Sequence, residues 1–248
     1  MNLNEFFNEY KKVALAFSGG VDSAFLLQQA IENGVDITAY YVKSAFQPDF
    51  ELEDAKRLSK ELNAKLKIMQ VDVFKDDNII KNSSKRCYYC KKVIFGSILK
   101  QAKKDGYEVL LDGTNYSDDY DDRPGMRAKD ELKVLSPLRM CKLTKKDIRK
   151  LSKEKGLFTW NKPSYSCLAT RIPVDKTITL EDLDRTERAE DFLKSLGFVD
   201  FRVRLFCDSA KISVTETDLE KVIEHRADIL QELLKYYPNI LLDLEVRK

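Results

Sequence analysis

The chain has 248 residues, 43% apolar and 34% charged, enough for one large or two moderate domains with a sizeable core. Its 43 basic and 41 acidic residues nearly cancel to +2, which argues against a protein whose main affinity is for a nucleic-acid backbone. The polar N-terminus MNLNEFFNEYKK lacks the apolar core of a secretion signal, and no apolar run reaches transmembrane length, so a cytoplasmic protein without a membrane partner is expected.

The first informative stretch is ALAFSGGVDSAFLL, Ala14 to Leu27. A β-forming apolar run breaks at Ser18-Gly19-Gly20, and Asp22 and Ser23 open a segment with apolar residues at helical spacing. Strand, glycine turn and helix in that order form an anion site, because the first helical turn leaves backbone N–H groups unpaired and the helix dipole is positive there. Paired glycines let the backbone come close to a phosphate. The spacing is neither GxxxxGK[ST] nor GxGxxG. The string SGGVDS resembles the SGGxDS loop of the ATP-pyrophosphatase (PP-loop) superfamily, whose members cut ATP between the α- and β-phosphates. The plain alternative is a strand-to-helix turn that happens to be rich in Gly and Ser.

Beyond the loop the helix runs to a C-cap near Asn33-Gly34. Asp36 to Val42 reads as a buried strand, Asp49 to Asn63 as an amphipathic helix and Lys65 to Val71 as a third strand. This alternation predicts crossover units, a parallel sheet and a ligand site beyond the carboxyl ends of its strands. NSSKRCYYCKK then reads as a loop carrying CxxC into a helix that ends near Gly106, and Tyr107 to Leu111 as a fourth strand delivering Asp112-Gly113-Thr114-Asn115 to the same edge. An acidic loop, Asp118 to Asp122, precedes Arg123; Leu132 to Leu135 reads as a short strand, and Thr144 with Asp147 as the capped start of a helix. Past residue 160 the order becomes helix Leu180 to Leu196, strands Val199 to Phe206 and Ala210 to Thr215, helix Asp218 to Tyr236 and strand Ile240 to Val246. The expectation is an α/β domain over 1–160 and a smaller α+β domain with an antiparallel sheet over 161–248.

The five cysteines form an odd set with one close pair, which favours metal binding or catalysis over disulfides. Cys87 and Cys90 place two thiolates near one metal; as a redox pair they would sit at the start of a helix in a much smaller fold. Cys167 lies in KPSYSCLATRIP, a loop rich in Pro and Ser, where chemistry is more at home than packing, whereas Cys141 and Cys207 read as ordinary buried residues. Three cysteines from two loops suit a 4Fe–4S cluster with one iron lacking a protein ligand, and Cys141 as a fourth would instead suit zinc. Spacing leaves the two open.

Six motifs in order, SGGVDS, RCYYC, LDGTNYSDDYDDRPGMRA, VLSPL, KPSYSCLATRIP and FRVR, resemble the LarE-type sulfur transferases of nickel-pincer nucleotide synthesis, over roughly Val13 to Val214. The resemblance implies that ATP adenylates a carboxylate of a pyridinium dicarboxylate mononucleotide and that sulfur then displaces AMP. Some members sacrifice the sulfur of the cysteine matched by Cys167; others carry two further cysteines and resemble cluster-dependent thiolases. All three are present here, which implies a 4Fe–4S cluster on Cys87, Cys90 and Cys167, supplied by sulfide or another sulfur donor. Ser18, Gly19, Gly20, Asp22 and Ser23 are then expected around ATP and Mg²⁺, with Asp22, Ser23 and Cys167 catalytic. Gly113, Thr114 and Asn115 complete the nucleotide side, and Arg171, Arg202 and Arg204 clamp substrate anions, with Arg123 a further candidate. For Arg202 and Arg204 the plain reading is one solvated strand face, and for Arg123 a partner to the acidic run. Tyr88 and Tyr89 are candidates either to stack on a pyridinium ring or to pack in the core, and His225 and Trp160 read as a surface residue and a packing residue. The resemblance also implies a homo-oligomer. The rival readings are a cluster-dependent tRNA thiolase, disfavoured by the absence of further zinc-ribbon CxxC pairs and of basic excess, and a non-catalytic ATP-binding protein.

Overall fold

A computed structural model describes residues 1–118 and 124–247. The expected acidic stretch beyond Asp118, with Arg123, lies outside the described residues. The chain divides into two compact units, one of Met1–Ile79 with Ser84–Ser164, the other of Ile80–Ser83 with Tyr165–Lys248.

In chain order the elements of the first unit are α1 (Leu3–Glu9), β1 (Lys12–Ala16), α2 (Val21–Glu32), β2 (Asp36–Lys43), α3 (Asp49–Glu61), β3 (Lys65–Gln70), α4 (Asp77–Ile80, ending at the unit boundary), α5 (Arg86–Lys104), β4 (Leu110–Leu111), α6 (Pro124–Glu131), α7 (Pro137–Met140) and α8 (Lys145–Glu154). Among the described residues four strands form a sheet in the order β3-β2-β1-β4, parallel at every pairing. Val13, Ala14 and Leu15 of β1 and Ala39, Tyr40 and Tyr41 of β2 are buried, as expected of central strands covered on both faces. Successive strands step outward from β1 to β3, and β4 then adds on the other side of β1. That reversal opens a crevice beyond the carboxyl ends of β1 and β4, where ligands of such sheets bind. Helix α2 leaves β1 there with Val21, Ala24, Phe25, Leu26, Leu27 and Ala30 all buried, an almost fully enclosed helix.

The expected strand over Leu132 to Leu135 is not formed; only Leu135 pairs, bridging to Leu111. The intervening residues close the end of α6: Val134 N–H donates to the Lys129 carbonyl across Lys133, which has φ +54°.

The second unit contains α9 (Leu180–Ser195), β5 (Phe201–Phe206), β6 (Ser209–Val214), α10 (Leu219–Glu224), α11 (Arg226–Leu233) and β7 (Ile240–Leu242). Its sheet is mixed where an antiparallel one is expected: β5 and β6 are antiparallel, and β7 lies parallel to β6. The helical connection between β6 and β7 is the reason, because a crossover returns the chain in the same direction. The expected single helix over Asp218 to Tyr236 breaks at His225 with no proline or glycine to signal it. His225 is half-buried there rather than a plain surface residue, its ring edge-on to Phe198 at 6.4 Å.

A polar hub holds this unit. Glu190 Oε1 accepts from Arg171 Nε at 2.7 Å and from the Val203 backbone N–H at 2.9 Å, while Oε2 accepts from the Tyr165 hydroxyl at 2.5 Å. One carboxylate thus joins α9, β5 and the turn Leu168–Arg171. Removing one partner of a buried pair costs about 3–5 kcal/mol because the other is left unpaired. Glu190→Ala is therefore expected to lower the urea midpoint sharply, and Arg171→Met combined with Glu190→Leu to recover part of the loss, measured by circular dichroism.

Candidate active site

At the crevice, Ser18 to Gly20 turn between β1 and α2 as expected, with Gly19 at φ +73°. A Cβ there would lie 3.3 Å from both the Glu51 carbonyl and the Ala55 nitrogen of α3, so the turn requires glycine on conformation and on space. The loop is tied from within. Ser23 Oγ donates to the Gly20 carbonyl at 3.2 Å and accepts from the Ser18 backbone N–H at 3.3 Å, with Ser18 Oγ 3.1 Å away. Ser23 is buried, so its hydroxyl shapes the loop, while Ser18 is exposed at its mouth.

The loop after β4 closes the other side. Gly113 packs so tightly on the first turn of α2 that a Cβ would stand 3.0 Å from the Ser23 nitrogen and 3.3 Å from its Cα. Asn115 is buried, and its Nδ2 donates to Asp22 Oδ1 at 3.4 Å. Thr114 Oγ1 donates to Asp112 at 2.6 Å, and the other Asp112 oxygen accepts from Ser136 Oγ at 2.5 Å. Behind them Lys129 Nζ donates to Ser136 Oγ at 2.7 Å, and burial holds this ammonium below the ordinary lysine range. Asp112 is therefore a brace for the loop.

Asp22 is also ion-paired with Lys145, the first residue of α8. Burial pushes the Asp22 carboxyl above the usual carboxylate range, and the Lys145 charge offsets only part of that rise. Lys145 is the residue at the crevice that sequence reasoning missed. The signal was the Thr144/Asp147 capping box, which places Lys145 at the start of a helix without saying what that helix start faces.

The CxxC lies within the first two turns of α5, not in the expected loop. Cys87 is exposed and Cys90 half-buried, three residues apart, and Arg86 donates to Cys87 Sγ at 3.6 Å. Two sulfurs about one helical turn apart are soft donors of the kind that bind thiophilic metals. A helix-start CxxC is also where a redox pair would sit, but the surrounding parallel sheet is not the small fold that reading needs. Among the described residues, no three His, Cys, Asp or Glu side chains are already gathered as a metal site. Tyr88 is half-buried; its hydroxyl donates to Glu131 at 2.8 Å, and Tyr89 sits edge-on to its ring at 5.2 Å.

In the second unit Cys167 is half-buried and caps the turn Leu168–Arg171, its carbonyl accepting from Thr170 Oγ1 at 2.8 Å. Arg171, expected as a substrate clamp, is turned inward. Its side chain is 1% exposed and its guanidinium is shared among Glu190, the Ser166 carbonyl and Thr170. Arg202 and Arg204 are different. Burial, followed by repulsion from Arg171 and Arg247, pushes Arg202 down to about 10, and burial with the same two neighbours also lowers Arg204. Charges that destabilise one another in this way favour an incoming anion. Neither strand position is the solvated face of the plain reading, since Arg202 is buried and Arg204 half-buried.

A phosphate loop on the first strand, a second glycine loop against it and a parallel sheet reversing between them define a PP-loop ATP pyrophosphatase. Residues 12–86 match the family model described as queuosine biosynthesis protein QueC. The chain is 34% identical over 210 residues to the pyridinium-3,5-bisthiocarboxylic acid mononucleotide synthase of Lactiplantibacillus plantarum, covering 84% of this chain and 76% of that one. It belongs to that family, the LarE-type sulfur transferases, and is an enzyme. It is also 35% identical over 246 residues to an uncharacterized protein of Methanocaldococcus jannaschii, covering 99% of this chain and 94% of that one. A tRNA-specific 2-thiouridylase of Fervidobacterium nodosum is 29% identical over 126 residues, covering 41% of this chain and 36% of its own. No helix among the described residues is long and apolar enough to cross a membrane.

Gly113→Ala is expected to lift its loop from α2 and weaken ATP binding at least tenfold, about 1.4 kcal/mol, with little change in melting temperature. Calorimetric titration against the wild type checks it. Arg204→Ala should leave ATP affinity unchanged while weakening an anionic second substrate.

Proposed function

We propose that the protein is an ATP-dependent sulfur transferase acting on a pyridinium dicarboxylate mononucleotide. The observation that carries this reading is the paired-loop crevice around Asp22 in a chain similar over most of its length to a synthase of the bisthiocarboxylate. A substrate carboxylate oxygen attacks the α-phosphorus of ATP, the bond to the bridging oxygen of the β-phosphate breaks, and pyrophosphate leaves. A sulfur nucleophile then adds to the activated acyl carbon, and AMP departs with the bonding pair of the C–O bond. The loop N–H groups from Gly19 to Ser23 would hold the phosphates, with Mg²⁺ on Asp22 sharing their charge. Arg202 and Arg204 would hold the substrate's anionic groups.

Cys87, Cys90 and Cys167 would hold a 4Fe–4S cluster, which when bound supplies a renewable sulfide to the reaction. Three soft sulfur donors, one fewer than a closed zinc site takes, are the basis of this assignment. The thiouridylase similarity keeps tRNA as the second reading, although it covers less than half of the chain.

Incubation with ATP and the pyridinium dicarboxylate nucleotide under anaerobic conditions should release pyrophosphate and give a product heavier by the exchange of oxygen for sulfur. Absence of pyrophosphate from cluster-loaded protein would refute the adenylation. Protein purified anaerobically should be brown, with about four irons that Cys87→Ala removes. Colourless protein retaining one zinc after reconstitution would overturn the cluster. Tight, salt-sensitive tRNA binding would favour the second reading.

A further inference from the structure

Ile80–Ser83, although flanked in sequence on both sides by the first unit, belong to the second. Asn82 ties them there. It is 0% exposed, and its backbone is left-handed at φ +56°, a conformation that asparagine adopts more readily than most residues. Its Nδ2 donates to the Pro173 carbonyl at 2.7 Å and to the Ile172 carbonyl at 3.3 Å. The Asn82 carbonyl in turn accepts from the Asp175 N–H at 3.0 Å, and the Ile80 carbonyl accepts from the Ile178 N–H at 2.8 Å. These bonds fix residues 80–82 on residues 172–178.

A candidate ligand cysteine follows on each side of this tie. Ile172 ends the turn Leu168–Arg171 that Cys167 caps, and that turn is held by Thr170 Oγ1 on the Cys167 carbonyl and by Arg171 on Glu190. In the other direction Ser83 and Ser84 lead to Lys85, the N-cap of α5, and Cys87 stands five positions after Asn82. Cys167 likewise stands five positions before Ile172. Five residues of chain span at most about 18 Å. Resting on the three-cysteine reading, we propose that Asn82 is a positioning residue for those cysteines, joining the chain that leads into the CxxC to the chain that leads out of the Cys167 turn. Ligands restrained before a metal arrives lose less conformational freedom when it binds.

The test uses the full chain carrying Cys90→Ser, Cys141→Ser and Cys207→Ser, so that only Cys87 and Cys167 keep thiols. Metal-free protein is treated with a short bismaleimide under anaerobic conditions, and the Cys87–Cys167 link is followed by peptide mass spectrometry. This parent should cross-link. Asn82→Gly keeps the left-handed backbone and removes only the side chain, and it should cross-link at least fivefold more slowly. Inserting Gly-Ser-Gly-Ser between Ser83 and Ser84 keeps every bond of Asn82 but lengthens the chain to Cys87, and it should slow the link as much. Circular dichroism melting monitors folding; should Asn82→Gly be unfolded at the assay temperature, the insertion carries the test. Thr186→Val, which removes a buried hydroxyl bonded to the Asp182 carbonyl elsewhere in the second unit, should cross-link as the parent does. Unchanged cross-linking in folded Asn82→Gly or in the insertion, or an equal loss in Thr186→Val, overturns the inference and leaves the three-cysteine reading standing. A parent that does not cross-link overturns the three-cysteine reading, and the inference with it.

Discussion

Between Gly113 and the first turn of α2 there is no room for a side chain, and much of the candidate site depends on that close approach. A Cβ at Gly113 would meet the Ser23 nitrogen at 3.0 Å. The contact sets how far the loop after β4 reaches over the helix start, and therefore where Asn115 meets Asp22. Gly19 performs the matching service on the α3 side, where backbone atoms stand 3.3 Å from the Cβ it lacks. The helix start is thereby enclosed by backbone on two sides, which keeps its N–H groups directed at one small volume.

Such packing demands rigid supports, and the molecule supplies them as buried polar chains. In the first unit, Lys129, Ser136, Asp112 and Thr114 form a continuous run of hydrogen bonds beneath the second loop. In the second, Glu190 gathers Arg171, Tyr165 and the Val203 N–H. Each partner is expensive to bury alone and inexpensive to bury in company. The polar residues that look most functional by composition divide accordingly: Asp112 and Arg171 are enclosed in these networks, whereas Asp22 lies at the crevice beside Lys145, and Arg202 and Arg204 lie on β5 among like charges.

The cysteines show a related distinction. Cys87 and Cys90 stand on a helix, so their mutual spacing is set by the helical repeat and not by loop closure. Arg86, adjacent in sequence, reaches back to the Cys87 sulfur. A pair so placed offers two sulfurs from one rigid support, with Cys167 held in its own unit by a turn whose last residue is the buried Arg171.

By itself the sequence determined the strand, phosphate loop and helix from Ala14 to Leu27, the parallel βα order and the capped start of α8, because each is written in short-range patterns of apolar period, glycine and cap. Motifs in order also carried the family. Tertiary structure decided what depends on pairing between distant residues. It paired Arg171 with Glu190, placed β7 parallel to β6, and brought Lys145 onto Asp22. No local pattern records which charge a buried arginine will face or which helix start a lysine will meet. The Lys145 pairing arises at the crevice where the sheet reverses at β1, the Arg171 pairing follows from the cost of burying a charge without company, and the direction of β7 follows from its helical crossover.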